Sequence, residues 1–248
     1  MNSLSDLMQL RAGLLNVDYQ LALNLPKPHR LPPNEQRRAP QVVRLTMECI
    51  EQLAATGHDV SSLRSVFVTD DGVGEISTQM LEAINTTQQV SPLVFPSSVH
   101  GVAAGYFAIA FQNRKASTTI SQGADSFAAG LLTAVIEAIV LNESILLVAY
   151  DAPMLTPMSE VLPIVSPTAT AWIISPDLTR PKGLGKFQLF VDDEPNAELS
   201  DLPTWLPNSW LANSSVQAFA VLDLLYASSE VSYRMRLGGG SLVIKQVN

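Results

Sequence analysis

The sequence predicts an α/β fold in which helices cover both faces of a mainly parallel sheet. Three consecutive segments carry this prediction: a β-branched strand at 117–121, an almost wholly apolar helix at 126–141 and an apolar strand at 144–150. A helix that is apolar on every side is expected to be buried all round. A strand, a helix and a second strand at this spacing are typical of a sheet covered on both faces.

The 248 residues are enough for one large domain with a substantial core. Charged residues make up only 15% of the chain, where about a quarter is usual. A surface so poor in charge indicates either a large buried core or a partner that covers part of it. The net charge of −8 and the small size of the basic cluster at Arg37, Arg38 and Arg44 argue against nucleic-acid binding.

The remaining elements follow from hydrophobic periodicity and breaker residues. The first 40 residues are irregular and proline-bearing, and they predict an arm laid over the body or over a partner. The β-branched run SVFVTDDG (65–72) predicts a strand that leads into a loop at its acidic residues and glycine. The other predicted elements are a helix at 41–56 ended by Gly57, a helix at 75–85, a helix at 99–111, strands at 168–175 and 186–192, a helix at 216–227, and strands at 231–237 and 241–247. The acidic stretch 192–201 has no regular ligand spacing and predicts a solvated loop rather than a metal site.

Cys49 is the only cysteine and lies on the apolar helix at 41–56, so we expect a core residue and neither a disulfide nor a cysteine-built metal site. The N-terminal segment has no basic region followed by an apolar run, and the apolar window 131–150 is broken by Glu137, Asn142 and Glu143. We therefore expect a cytoplasmic protein that does not enter a membrane and needs no cofactor.

The segment around residue 123 has the order of a nucleophile elbow, in which a strand leads into a tight turn and then a buried helix. Such a turn holds its side chain at a helix N-terminus, where the helix dipole favours a thiolate or an oxyanion. Here the turn is Gln122-Gly123-Ala124-Asp125 and contains no cysteine. The sequence predicts the scaffold without its nucleophile.

Three segments resemble β-ketoacyl synthases. FPSSVHGVAAGYFAI (95–109) resembles the segment before the family's active-site elbow, STTISQGADSFAAG (117–130) resembles the elbow, and SILLVAYD (144–151) resembles the strand after the elbow helix. Counting from the first segment puts the family's cysteine position at Ala124, and counting back from the last puts it at Asp125. Neither side chain can be acylated as a thiolate can.

A weaker resemblance continues towards the C-terminus. The segments 168–175 and 186–192 resemble the paired strands that close the N-terminal half of a ketosynthase, and 236–247 resembles the family's glycine-rich turn and final strand. The position of the second catalytic histidine falls on Asn208, and the first has no counterpart. The chain's own histidines, which lie in none of the catalytic motifs, are His29, His58 and His100.

The resemblance implies a reduced thiolase-like layered fold. It comprises an N-terminal arm (1–40), a ketosynthase-like N-terminal half (41–192) and a truncated C-terminal remnant (193–248), all packed as one domain. It further implies a short chain-length-factor-like subunit of the aryl-polyene type, a pseudoenzyme rather than an enzyme. Such a subunit would pair with an active β-ketoacyl-ACP synthase, stabilise it and shape the acyl tunnel in polyketide or fatty-acid-like chain assembly.

Ketosynthases form dimers through the strand before the elbow, which implies a partner interface at this edge of the chain. The residues expected there are Ser98, His100, Ala103, Ala104, Gly105, Ser117, Thr118, Thr119, Ile120 and Ser121. Acyl carrier proteins are acidic as a class, and the net charge of −8 disfavours their direct docking here. The carrier is therefore expected to reach the complex through the ketosynthase.

Several alternatives stay open at this point. Gln122 leaves open that the chain is a malonyl-ACP decarboxylase, because some ketosynthase-like domains carry glutamine at the cysteine position and only decarboxylate malonyl groups. The apolar helix at 126–141 leaves open a passive acyl-carrier or lipid-binding module, in which this helix would line the pocket. Asp125 either caps the helix that begins at Ser126 or reaches towards the partner, and His100 either caps the helix of its own segment or meets the partner.

Overall fold

The computed structural model describes residues 9, 12, 26–179, 184–210, 212–227 and 231–247. The helices are α1 (Pro33–Arg38), α2 (Gln41–Ala55), α3 (Gly74–Thr87), α4 (Val102–Ala110), α5 (Ser126–Leu141) and α6 (Gln217–Leu225). The strands are β1 (Arg64–Val68), β2 (Ser117–Ile120), β3 (Ile145–Asp151), β4 (Thr168–Ile174), β5 (Lys186–Asp192), β6 (Ser232–Leu237) and β7 (Gly240–Val247).

A first sheet of four strands in the order β2-β1-β3-β4 forms the centre of the fold. Strand β1 runs parallel to β2 and β3, and β4 is antiparallel to β3. Every residue of β3 is buried, because β3 is an inner strand with helices on both faces. Strand β2 lies at one edge, so one side of its backbone has no strand partner among the described residues.

Helices α2 and α4 cover one face of this sheet, where side chains of β1 and β3 such as Phe67 and Leu146 are fully buried. Helices α5 and α6 cover the other face, where Val66 and Val68 point. Helix α5 approaches β1 so closely that a Cβ on Gly130 would lie 2.1 Å from Cγ2 of Val68. Only glycine allows that approach, and it sets the distance between the elbow helix and the sheet.

A second, antiparallel sheet of three strands in the order β5-β7-β6 lies on the outer side of α5 and α6. Its inner face packs into the same core through Leu242 and Ile244, both 0% exposed. Its outer face is open to solvent, and Phe190 there is 50% exposed. The molecule thus has four layers, in the order helix, sheet, helix, sheet.

The predicted elements are confirmed with small shifts at their ends, and three expectations are wrong. Residues 33–38 form a helix within the segment expected to be irregular, while most of residues 1–25 lie outside the described part of the chain. Strands β4 and β5 do not pair with each other, because β4 bonds to β3 and β5 bonds to β7. The extents of the two predicted halves stay a prediction.

The third correction concerns helix α5, which is not buried all round. Its first six residues are buried, but its C-terminal half exposes Ile139 (65%) and Val140 (75%), because the core contacts only the side of the helix that carries Ala134 and Ala138. By length and composition alone, the stretch Gly123–Leu141 is the one helix among the described residues that could cross a membrane. Half of its apolar window is buried, as in the core helix of a folded domain.

Candidate functional site

The candidate site lies where the carboxyl ends of the three parallel strands meet. Asp70 and Asp71 follow β1, residues 121–125 follow β2, and Asp151 ends β3. The carboxyl edge of a parallel sheet is the usual place for a ligand or a catalytic group in α/β proteins. The order of the elements therefore brings the predicted elbow and three carboxylates to one end of the first sheet.

The elbow is a tight turn between β2 and α5, as predicted. Gly123 adopts a φ of +58°, and the amide of Ser126 donates to the Gly123 carbonyl at 2.9 Å. The Ser126 hydroxyl accepts from the Gln122 amide at 2.7 Å and donates to the Gly123 carbonyl at 2.7 Å. This buried hydroxyl is thus engaged on both sides by the backbone of the turn and holds the turn closed.

The two candidates for the former cysteine position lie in different environments. Ala124 is exposed at the outer side of the turn, whereas Asp125 is 9% exposed and points into the fold. Gln122 lies at the start of the turn and is exposed. The position that best matches a buried nucleophile is therefore occupied by a carboxylate, and the exposed one by a methyl group.

Asp125 does not cap helix α5, which corrects the structural role expected for it. No side-chain capping bond exists at this helix, and the Asp125 backbone is already in the helical region. Its carboxylate instead accepts a hydrogen bond from the guanidinium of Arg236 and another from the Gly238 amide at 2.9 Å. Both donors belong to the β6–β7 hairpin, so Asp125 joins the elbow to the second sheet.

Asp151 makes a second connection of this kind. One carboxylate oxygen accepts from the Thr69 hydroxyl at 3.0 Å and the Asp70 amide at 2.7 Å. The other accepts from the Ser214 hydroxyl at 3.1 Å and the Ser215 amide at 2.9 Å. Burial raises the pKa of this carboxyl to about 6, and the hydrogen bonds limit the rise.

Asp70 and Asp71 are site residues that sequence reasoning described only as the acidic end of a strand. A Cβ on Gly123 would lie 3.8 Å from Oδ1 of Asp70, so this carboxylate stands beside the elbow turn. Burial raises the pKa of both carboxyls, and His100 opposes the rise at Asp71. The sequence signal was the pair of acidic residues directly after a buried strand, at the edge where ligands bind.

His100 is the one histidine of the three at this end of the sheet. Its ring lies against Gly72, and its carbonyl accepts a hydrogen bond from the Tyr150 hydroxyl at 3.1 Å. It does not cap α4, whose N-cap is Gly101 without a side-chain capping bond. The backbone amide of His29 binds Glu51, and His58 lies before β1 at the opposite end.

The edge predicted to meet a partner is open along β2. The Ser65 amide donates to the Ala116 carbonyl and the Thr69 amide to the Ile120 carbonyl. Because bonding alternates along a parallel ladder, the amide and carbonyl of Thr119 point to the free side. Of the other expected interface residues, His100, Gly105, Ser117, Thr118 and Ser121 are exposed, and Ser98, Ala104 and Ile120 are partly exposed.

The expectation that Ala103 contacts the partner is wrong. It is 0% exposed and packs in the core between α4 and the first sheet. Small size at this position serves the internal packing of α4. The exposed side of the helix carries Gly101, Gly105 and Ile109 instead.

Cys49 is partly exposed, so it is not the fully buried core residue that the sequence predicted. Its thiol donates to the Ala169 carbonyl at 3.3 Å, and burial raises its pKa to about 12 with a smaller contribution from Glu48. Asn208, the position of the missing histidine, begins a short 3₁₀ turn, Asn208–Trp210. Within the ranges that the structure describes, no group of three metal-binding side chains occurs.

A family model for the N-terminal domain of β-ketoacyl synthases matches residues 17–204. No curated protein matches the chain. A solved structure of the ketosynthase ApeO in complex with its chain length factor ApeC from Xenorhabdus doucetiae contains a chain that is 19% identical, with a TM-score of 0.73 over 99% of this chain and 93% of that one.

Two further solved structures are similar. The ishigamide ketosynthase/chain length factor gives 14% identity and a TM-score of 0.66 over 97% of this chain and 93% of that chain. The type II polyketide synthase complex AntDE:AntF contains an acyl carrier protein with its ketosynthase bound to the hexaketide. A chain of it gives 11% identity and a TM-score of 0.66 over 98% of this chain and 92% of that chain. At these identities the likeness shows the thiolase-like ketosynthase fold, which confirms the predicted fold class.

Proposed function

Because the chain belongs to the β-ketoacyl synthase family through its N-terminal domain, we propose that it is a non-catalytic subunit of the chain-length-factor type. It pairs with an active β-ketoacyl-ACP synthase, stabilises it and shapes its acyl tunnel. The observation that carries the proposal is the elbow, which keeps its turn and helix but offers a methyl group and an engaged carboxylate in place of a thiol.

Decarboxylative condensation needs a thiolate to hold the acyl chain and histidines to polarise the malonyl thioester. Ala124 has no nucleophilic atom, and the Asp125 carboxylate is held by Arg236 and Gly238. Removing one member of such a catalytic unit is already crippling, because its members act together. The elbow therefore has a structural role in this chain.

The proposed partner is a ketosynthase because β2, whose edge is open, is the strand before the elbow. Ketosynthases form dimers through that strand. An unpaired strand edge invites pairing with another strand, and the outward amide and carbonyl of Thr119 are available for it. The solved relatives ApeO and ApeC form a ketosynthase with its chain length factor, and we carry that pairing over to this chain. A cytoplasmic location and contact with an acyl carrier protein through the partner belong to the same proposal.

Incubation with malonyl-loaded carrier tests the catalytic part of the proposal. The isolated chain should yield neither an acyl adduct by mass spectrometry nor carbon dioxide. Carbon dioxide without an adduct would instead support the decarboxylase alternative at Gln122. An acyl adduct on any residue of the chain would overturn the proposal.

Co-expression with a ketosynthase from the same source tests the pairing. The two chains should co-purify, and the ketosynthase should be more soluble and more active with this chain than without it. A ketosynthase that is equally soluble and active alone would show that the chain is not its subunit.

A further inference from the structure

The longest exposed stretch of the described chain lies between β1 and α4. No residue from Gln79 to His100 is buried, and helix α3 buries only Gly74 and Thr78. We call residues 76–99 the exposed arm. Although it faces solvent, it carries large apolar side chains, whose exposed fractions are 57% for Leu81, 48% for Ile84, 80% for Leu93, 57% for Phe95 and 47% for Val99.

Both ends of the exposed arm are fixed beside the elbow. At its start, Gly74 is so confined that a Cβ there would meet Oδ2 of Asp71 at 2.4 Å. At its end, His100 packs on Gly72, and a Cβ on Gly101 would lie 3.9 Å from Oγ1 of Thr119. The exposed arm therefore leaves the body at the carboxyl end of the first sheet and rejoins it next to the free edge of β2. Whatever molecule pairs with that edge meets the base of the exposed arm.

Charge indicates which kind of molecule covers the exposed arm. Between Arg64 and Arg114 the chain contains no lysine or arginine, and Glu82 is the only charged residue of the exposed arm. A surface of this kind has nothing to attract anionic lipid head groups or an acidic carrier protein. An apolar surface that is nearly free of charge fits the core of a stable protein–protein interface.

We propose that the exposed arm is a second contact with the ketosynthase partner, continuous with the edge of β2, and that the partner buries Leu81 and Phe95. This inference rests on the proposed function and extends it from the strand edge to the segment before α4. Five of the exposed large apolar side chains lie in this stretch, and Glu82 is its single charged residue.

The experiment compares two double variants of matched composition by affinity for the ketosynthase. Leu81→Ser/Phe95→Ser changes the exposed arm. Leu178→Ser/Phe190→Ser changes a leucine and a phenylalanine of similar exposure, 61% and 50%, outside it. The first should weaken binding at least about 30-fold, as for a contact of hot-spot strength, and the second less than about threefold. Hydrogen exchange in the complex should slow within 76–99.

The possible outcomes distinguish a failure of the proposal for the exposed arm from a failure of the proposed function. If the wild-type chain does not bind the ketosynthase, the proposed function fails and the exposed arm loses its partner. If the wild-type chain binds and the Leu81→Ser/Phe95→Ser variant binds equally well, only the proposal for the exposed arm is overturned. It is also overturned if that variant loses self-association, or binding to phosphatidylglycerol vesicles, while it keeps the ketosynthase. Circular dichroism of both variants checks that they are folded.

Discussion

The elbow and the edge of β2 are neighbours in the fold, yet the chain uses them in opposite ways. At the elbow, the carboxylates of Asp125 and Asp151 are buried and bonded to segments of the second half. Along β2 and the exposed arm, the Thr119 backbone and side chains such as Leu93 remain open. One region is completed by the chain itself, and the other is the surface that we propose the ketosynthase covers.

Under the proposed function, the difference indicates how a catalytic scaffold can be retained without its chemistry. Here the Ser126 hydroxyl closes the turn from inside, and the clamp from Asp125 to the β6–β7 hairpin holds it from outside. In the proposed function, these contacts keep the turn in place beside the partner interface. The variant with the largest expected effect changes Asp151, and the variant with the smallest expected effect changes Ala124, at the former nucleophile position.

Asp151→Asn should lower the free energy of unfolding by about 2–4 kcal/mol. Each carboxylate oxygen accepts a backbone amide, from Asp70 on one side and Ser215 on the other. An asparagine in either orientation therefore places its NH₂ group against a backbone N–H. Urea unfolding measures the loss, and Asp193→Asn, at an exposed carboxylate, serves as the control. Equal stability of the two variants would mean that Asp151 does not hold the halves together.

The same residue predicts a pH dependence. Its folded pKa of about 6 lies above the ordinary value of 3.8 for an aspartate, so the folded state binds the proton more tightly. This contribution to stability is therefore fully present below about pH 4, falls as the pH rises to 6, and is constant above. The stability difference between wild type and Asp151→Asn should be larger at pH 4 than at pH 7, by at most roughly 3 kcal/mol. A difference that is independent of pH would contradict the raised pKa.

Thr119→Pro should weaken binding of the ketosynthase at least about tenfold while the chain stays folded. The Thr119 amide points to the free edge, so its loss removes a donor from the partner and none from β1. Thr118→Pro is the contrasting change, because the neighbouring amide points to β1 and its loss should damage the sheet itself. Size-exclusion chromatography and affinity measurement separate the two effects. Full binding by Thr119→Pro would remove the strand edge from the interface.

The sequence predicted what depends on local pattern. Apolar runs predicted helix α5 and strand β3, and a β-branched run predicted β2, because these signals act within a few residues. The cysteine-free elbow was also predictable, since a strand, a glycine turn and an apolar helix follow one another directly. What escaped prediction was the destination of side chains across the fold. The Asp125 carboxylate bonds to residues 111 and 113 positions away, and no local pattern signals that choice over a helix cap.

The errors have the same origin. The C-terminal half of α5 is as apolar as its first half, but periodicity alone does not reveal that the core contacts only the side that carries Ala134 and Ala138. Ala103 looked like a partner contact because small residues allow close approach, yet it packs within its own chain. In both cases the sequence indicated an apolar or small surface correctly. It did not indicate which surface of the molecule would be covered from inside.

The clamp between Asp125 and Arg236 should show a coupling free energy of about 1–2 kcal/mol in a double-mutant cycle with Asp125→Asn and Arg236→Gln. The Asp125 side chain is 12% exposed, but that of Arg236 is 56% exposed, which screens part of the attraction. The surface pair Arg64–Glu143, 3.7 Å apart and exposed on both sides, should give less than about 0.5 kcal/mol. Equal coupling in the two cycles would make the elbow clamp an ordinary surface ion pair.

Ala124→Cys should change least, and it tests whether the elbow lacks more than its thiol. Ala124 is exposed at a helix N-terminus, so the new thiol should react with iodoacetamide. The wild-type chain is a clean control, because its single cysteine, Cys49, has a pKa of about 12 and should stay unlabelled. With malonyl-loaded carrier and an acyl donor, the variant should still form no condensation product above the wild-type background, because no histidine occupies a catalytic motif of the family. A condensation product from Ala124→Cys would show that the rest of a working site survives in this chain, and that only the nucleophile separates it from an enzyme.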